Sequence, residues 1–91
     1  MSAKEKKSED LLVDSKEQQL NEIVLYNDHV NTFDHVIDTL VKACKHTDEQ
    51  AEQCALIVHY KGQCTVKTGV YEDLEAPCTL ILDAGLSAEI I

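Results

Sequence analysis

The chain contains no arginine: all eight of its basic residues are lysines, set against 17 Asp and Glu for a formal charge of −9. Without the side chain that forks bidentately onto phosphate, and with a net negative field, it is a poor match to nucleic acid or to an anionic lipid surface. Neither a nucleic-acid nor a membrane partner is expected. No apolar run approaches the ~18 residues that a membrane-spanning helix requires. Tryptophan is absent, and Tyr26, Phe33, Tyr60 and Tyr71 are the only aromatics, so the core has to be aliphatic. The four cysteines, Cys44, Cys54, Cys64 and Cys78, include no C-x-x-C pair, and no signal-like apolar segment follows Met1. That pattern predicts reduced thiols and a cytoplasmic protein. An even count also permits a disulfide framework, but each Cys falls in an apolar pattern, where a free thiol behaves as a small hydrophobe.

Ninety-one residues leave room for one small domain. A hydrophobic content of 44% excludes disorder of the whole chain. Residues 1 to 19 differ in texture: they carry nine charges of mixed sign and only Leu11, Leu12 and Val13 as a local apolar cluster. A flexible N-terminal tail is predicted there, with the folded domain over residues 20 to 91.

The run Ile23, Val24, Leu25, Tyr26 has strand length and is closed by Asn27-Asp28. Asn31 followed by Asp34 has the form of a helix start with an Asx cap. Phe33, Val36, Ile37, Leu40, Val41 and Cys44 then trace the apolar stripe of a helix over about Thr32 to Cys44. Thr47 and Gln50 form a capping box for a second helix, about Asp48 to Lys61, with Ala51, Cys54, Ala55 and Val58 inward and Gly62 as its left-handed stop. Cys64 and Val66 alternate with Thr65 and Lys67 in a half-buried strand that Gly69 ends. Leu74, Cys78, Ile81 and Leu82 write a third helix before Gly85. Pro77 removes a backbone donor and its ring clashes one turn back, so the regular part is expected at Glu75 to Ala84 after a kink or restart. Leu86 to Ile91 forms a last strand. The order β-α-α-β-α-β predicts an α/β (α+β) domain, a three-stranded sheet with helices packed on one face.

Polar residues gather at Asn27, Asp28, His29, Asn31, Thr32 and Asp34, where a buried strand hands over to a helix. His59 and Tyr60 follow Leu56-Ile57-Val58 at the end of the second helix. If the first two helices pack as a hairpin, His59 and Asn27 face one pocket. Each also has a plain structural reading: Asn27-Asp28 as a turn, and His59 as a helix-end residue favoured by the dipole. His59 with Asp28 or Asp34 forms a conceivable acid–base pair, but no nucleophile motif accompanies it and an enzyme is not expected. Cys44-Lys45-His46 is the only close Cys/His pair and lacks a second pair at recognised spacing, so no metal or other cofactor is expected.

Val24-Leu25-Tyr26-Asn27-Asp28, the Val36-Ile37-Asp38 helix, and Glu52-Gln53 leading to Val58-His59-Tyr60-Lys61-Gly62 together resemble the Clp protease adaptor (ClpS) family of N-degron recognins, over roughly residues 22 to 70. The resemblance implies a binding module with a β-α-α-β-α-β core. It would capture proteins with a bulky apolar first residue and hand them to a Clp AAA+ ATPase, acting as a monomer. Carried over by position, Asn27, Asp28 and His59 would bind the α-amino group; Phe33, Val36, Ala55 and Val58 would wall the side-chain pocket, with Asn31 at its edge; Glu72 would dock the ATPase. This chain departs from the family at His29, where a second acid is usual, at Asn31-Thr32, usually Thr-Pro, at Phe33, usually a Met gating the pocket, and at Pro77, which replaces a docking Lys. The alternative is a domain of the same fold that docks on the ATPase and modulates it without reading N-termini. Of the formal charge, −1 lies in residues 1 to 19 and −8 in residues 20 to 91, so the negative field belongs to the domain that would receive a cationic α-ammonium.

Overall fold

The computed structural model describes residues 19–91; the tail expected over residues 1 to 19 lies, but for Gln19, outside them. The elements are strand β1 (Asn21–Tyr26), helix α1 (Phe33–Cys44), helix α2 (Asp48–Lys61), strand β2 (Gln63–Gly69), helix α3 (Tyr71–Asp83) and strand β3 (Ser87–Ile90). The β-α-α-β-α-β order is as expected. β1 is the central strand of an antiparallel sheet ordered β2-β1-β3. Its alternation drives Ile23 and Leu25 into a cluster with Leu40, Ala51, Val58, Val66, Leu74 and Ile81, so the three helices cover one face. The other face is edged by cross-strand pairs: Tyr26 donates its hydroxyl to Glu89 at 2.5 Å, and Thr65 donates to Glu22 at 2.6 Å. A bulge between Ile23 and Val24 breaks the register with β2. All four cysteines are free, Cys44 and Cys78 buried and Cys54 and Cys64 half-buried.

Helix ends follow local chemistry, with two corrections. The α2 capping box is complete, Gln50 N–H donating to Thr47 Oγ1 at 3.1 Å and Thr47 N–H to Gln50 Oε1 at 2.9 Å. Gly62 stops α2 at φ +92°, its N–H bonded to the Val58 carbonyl at 2.9 Å. For α1, however, the cap is Thr32, whose Oγ1 accepts the His35 N–H at 3.1 Å, and not Asn31. The Asn31 side chain is taken up by Asp28 and by the distant Gly85 carbonyl.

The second correction concerns α3, which runs unbroken across Pro77. No restart occurs at Glu75. Leu74, Cys78 and Ile81 straddle the proline and are all buried, and anchoring them outweighs the one helical hydrogen bond that Pro77 cannot make. Leu82 leaves the expected stripe: it lies about 100° around the helix from Ile81 and is 50% exposed.

Candidate functional site

The end of β1 and the end of α2 meet because the Asn27 N–H donates to the Gly62 carbonyl at 2.9 Å, continuing the pairing of Tyr26 with Gln63. The left-handed turn at Gly62 makes this possible, since it reverses the chain directly from helix into the neighbouring strand. Asn27 and His59, 32 positions apart in the sequence, therefore border the same cavity. With α1 packed beside α2, that cavity of about 270 Å³ is lined by Leu25, Tyr26, Asn27, Asp28, His29, Asn31, Phe33, Val36, Ala55, Val58, His59 and Leu86.

All eight residues singled out for the pocket from the sequence lie on this lining. Ala55 and Val58, 3% and 5% exposed, belong to its apolar part, and Val36 is half-buried beside them. Phe33, the first residue of α1, is 39% exposed on this lining. His59 is exposed at the end of α2, its ring edge-on to Tyr60 with centroids 5.0 Å apart. Glu72 lies elsewhere, exposed in the first turn of α3 beside Asp73. Asp34 is exposed and does not line the cavity, which separates it from His59.

Asp28 organises the loop between β1 and α1. Its Oδ1 accepts the backbone N–H groups of Val30 at 3.1 Å and Asn31 at 3.0 Å, an Asx turn. The Asn31 amide nitrogen adds contacts of 3.1 and 3.0 Å to its two oxygens. The Asn31 backbone N–H foremost, and then the Val30 N–H, the Asn31 amide and the nearby His29, outweigh partial burial and hold the Asp28 carboxyl below the ordinary carboxylate range. Asp28 is thus a fixed anion at neutral pH. By contrast, the side chains of Asn27 and His59 make no hydrogen bond among the described residues and remain available to a ligand. The site offers two side chains able to accept hydrogen bonds, one fixed negative charge and an apolar wall, all on one cavity.

Leu86 was missed by sequence reasoning. It is 5% exposed and reaches the cavity from the turn after α3. Its only sequence signal is an apolar residue directly after Gly85, which marks a strand start and says nothing of a wall more than 50 residues from Asp28. His46, of the single Cys/His pair, has its ring Nε2 2.7 Å from the Val66 carbonyl, and among the described residues no group of three or more His, Cys, Asp or Glu is placed to hold a metal ion. No helix among the described residues is long and apolar enough to cross a membrane.

Comparison with known proteins agrees with this architecture. Residues 16–89 match the family model of the ATP-dependent Clp protease adaptor protein ClpS. The chain is also similar to the ATP-dependent Clp protease adapter protein ClpS of Thermosynechococcus vestitus, 36% identical over 66 residues that span 71% of this chain and 70% of that protein. With the family match running through β1, the pocket loop, all three helices and most of β3, the chain belongs to the ClpS family of Clp protease adaptors.

Proposed function

We propose that this protein captures polypeptides through their free α-amino group and bulky apolar first residue, the N-degron, and delivers them to a Clp AAA+ ATPase. The observation that carries the reading is that Asn27, Asp28 and His59 line one cavity of about 270 Å³ together with the apolar Val36, Ala55, Val58 and Leu86. An α-ammonium has an ordinary pKa near 8 and brings three donors and a positive charge. The Asn27 carbonyl oxygen and a neutral His59 ring nitrogen accept donors, while Asp28, locked by its own loop, supplies the opposing charge. The first side chain enters between Val36, Ala55, Val58 and Leu86, with Phe33 on the same lining. Glu72, exposed on α3 and away from the cavity, belongs to the face that meets the ATPase.

Magnitudes fit a carrier that must release its cargo. A hydrogen bond to a charged group contributes about 1.5 to 3 kcal/mol, and burying a Leu or Phe side chain contributes a similar amount. Two such bonds, to Asn27 and His59, and one buried side chain sum to about 4.5 to 9 kcal/mol, a range that includes the ~8 kcal/mol of a micromolar complex, before ordering costs. An internal Leu or an acetylated N-terminus leaves the Asn27 and His59 acceptors and the Asp28 charge uncompensated, which provides the discrimination. Fluorescence anisotropy with Leu-, Phe- and Arg-starting peptides and an N-acetylated Leu control tests this. Free Leu and Phe peptides should bind in the micromolar range and the acetylated one should not. Equal binding of free and acetylated peptides, or no binding, rejects the reading in favour of a domain that modulates the ATPase without reading N-termini.

A further inference from the structure

A pocket that reads an α-ammonium and a side chain together needs its charged end and its apolar wall at a fixed separation. One side chain here touches both. The Asn31 amide nitrogen lies 3.1 and 3.0 Å from the two Asp28 carboxylate oxygens and 2.9 Å from the carbonyl oxygen of Gly85, 54 residues further along the chain. Gly85 precedes Leu86, the buried wall residue on the α3–β3 turn. A second tie runs alongside, the His35 ring Nε2 standing 2.8 Å from the Ala84 carbonyl.

An amide NH2 has two protons and no charge. Here one proton serves the carboxylate and the other the carbonyl, so the donor capacity of Asn31 is spent on joining the two segments. Other side chains of that size fail for chemical reasons. Aspartate has the same shape but no proton to give, and it sets a second negative charge against Asp28. Serine or threonine has one hydroxyl proton and serves one partner at a time. Alanine serves neither.

We infer that Asn31 is a positioning residue for capture: a two-proton clamp that holds the Asp28 loop against the Leu86 turn and so sets the distance between the ammonium site and the apolar wall. The inference rests on the N-degron reading of the pocket. It assigns to Asn31 a part in selecting the first residue, exerted through Asp28 and Leu86. Loosening the clamp lets Leu86 withdraw, so the preference for a large first side chain falls along with affinity.

The test compares the full-length protein with Asn31→Ala, Asn31→Asp and Asn31→Gln, reading affinity for free Leu- and Ala-starting peptides together with thermal midpoints. Asn31→Ala should weaken Leu-peptide binding about tenfold, as expected for losing a hydrogen bond to a charged group, and should lower the ratio of Leu to Ala affinity. Asn31→Asp should bind more weakly than Asn31→Ala despite its closer shape, and Asn31→Gln, which keeps the amide, should recover part of the loss. Wild-type affinity in Asn31→Ala and Asn31→Asp, or losses that track the thermal midpoint with the Leu:Ala ratio intact, overturns the inference. If the wild-type protein binds no peptide, the N-degron reading has failed on its own. The clamp is then judged by amide hydrogen exchange without ligand: exchange at Val30, Gly85 and Leu86 should quicken in Asn31→Ala, and unchanged rates overturn it.

Discussion

Helices α1 and α2 are both capped by a threonine, yet the turns before them are held in different ways. Before α2, Thr47 and Gln50 satisfy one another within three residues, and the preceding Lys45 ends α1 in a left-handed conformation at φ 60°. Before α1, Thr32 caps His35 without a reciprocal partner, Asp28 holds the loop through the Val30 and Asn31 N–H groups, and two further bonds leave the neighbourhood: Asn31 reaches Gly85 and the His35 ring reaches Ala84. The turn before α2 closes its own cap and has one distant tie, the His46 ring Nε2 at 2.7 Å from the Val66 carbonyl. The turn before α1 has two such ties, both to the α3–β3 turn, and the Asn27 and His59 side chains make no hydrogen bond among the described residues. A binding loop can keep unspent hydrogen-bonding groups when distant partners supply its rigidity.

The strongest way to break this comparison is to remove the distant support. Leu86→Ala deletes a buried leucine side chain and should cost about 2–5 kcal/mol in urea unfolding, with a loss of peptide capture as well. A cost under about 1 kcal/mol would mean that the site collapses readily around the gap and that the turn is no fixed wall.

The two caps sharpen the contrast at lower energy. Thr47→Ala and Thr32→Ala should each destabilise by about 1 kcal/mol. Thr47→Ala should leave peptide affinity unchanged, whereas Thr32→Ala should reduce it, because only Thr32 anchors a helix whose first residue, Phe33, lines the cavity. Equal effects on capture would erase the distinction between the turns.

The smallest effect is a pH dependence. Asp28 is held below its ordinary value in the folded state, so on acidification the unfolded chain takes up the proton first. Its stabilising contribution is therefore fully present above the ordinary carboxylate value of about 3.9 and fades as pH falls through the lower folded value. The stability difference between wild type and Asp28→Asn should stay flat from about pH 7 to pH 5 and shrink below about pH 4.

Much of the fold was written locally. The α1 stripe, the Thr47–Gln50 box, the Gly62 stop and the alternation of Cys64 and Val66 each depend on residues within a few positions, and the element order followed from them. The Asn27-Asp28 and Val58-His59 motifs point to a shared pocket through their resemblance, at that separation, to the ClpS family; taken singly they read equally as a turn and a helix-end histidine. Tertiary structure decided the rest. Anchoring Leu74, Cys78 and Ile81 kept α3 continuous through Pro77, against local propensity. The choice of Thr32 over Asn31 as cap turned on an acceptor 54 residues away, and the place of Leu86 in the wall depended on the same contact. Short-range hydrogen bonds and periodic burial are readable along a chain because both partners sit in one window of sequence. The clamp on this pocket has its partners at opposite ends of the domain, and only the packing of α3 against α1 and β3 brings them within 3 Å.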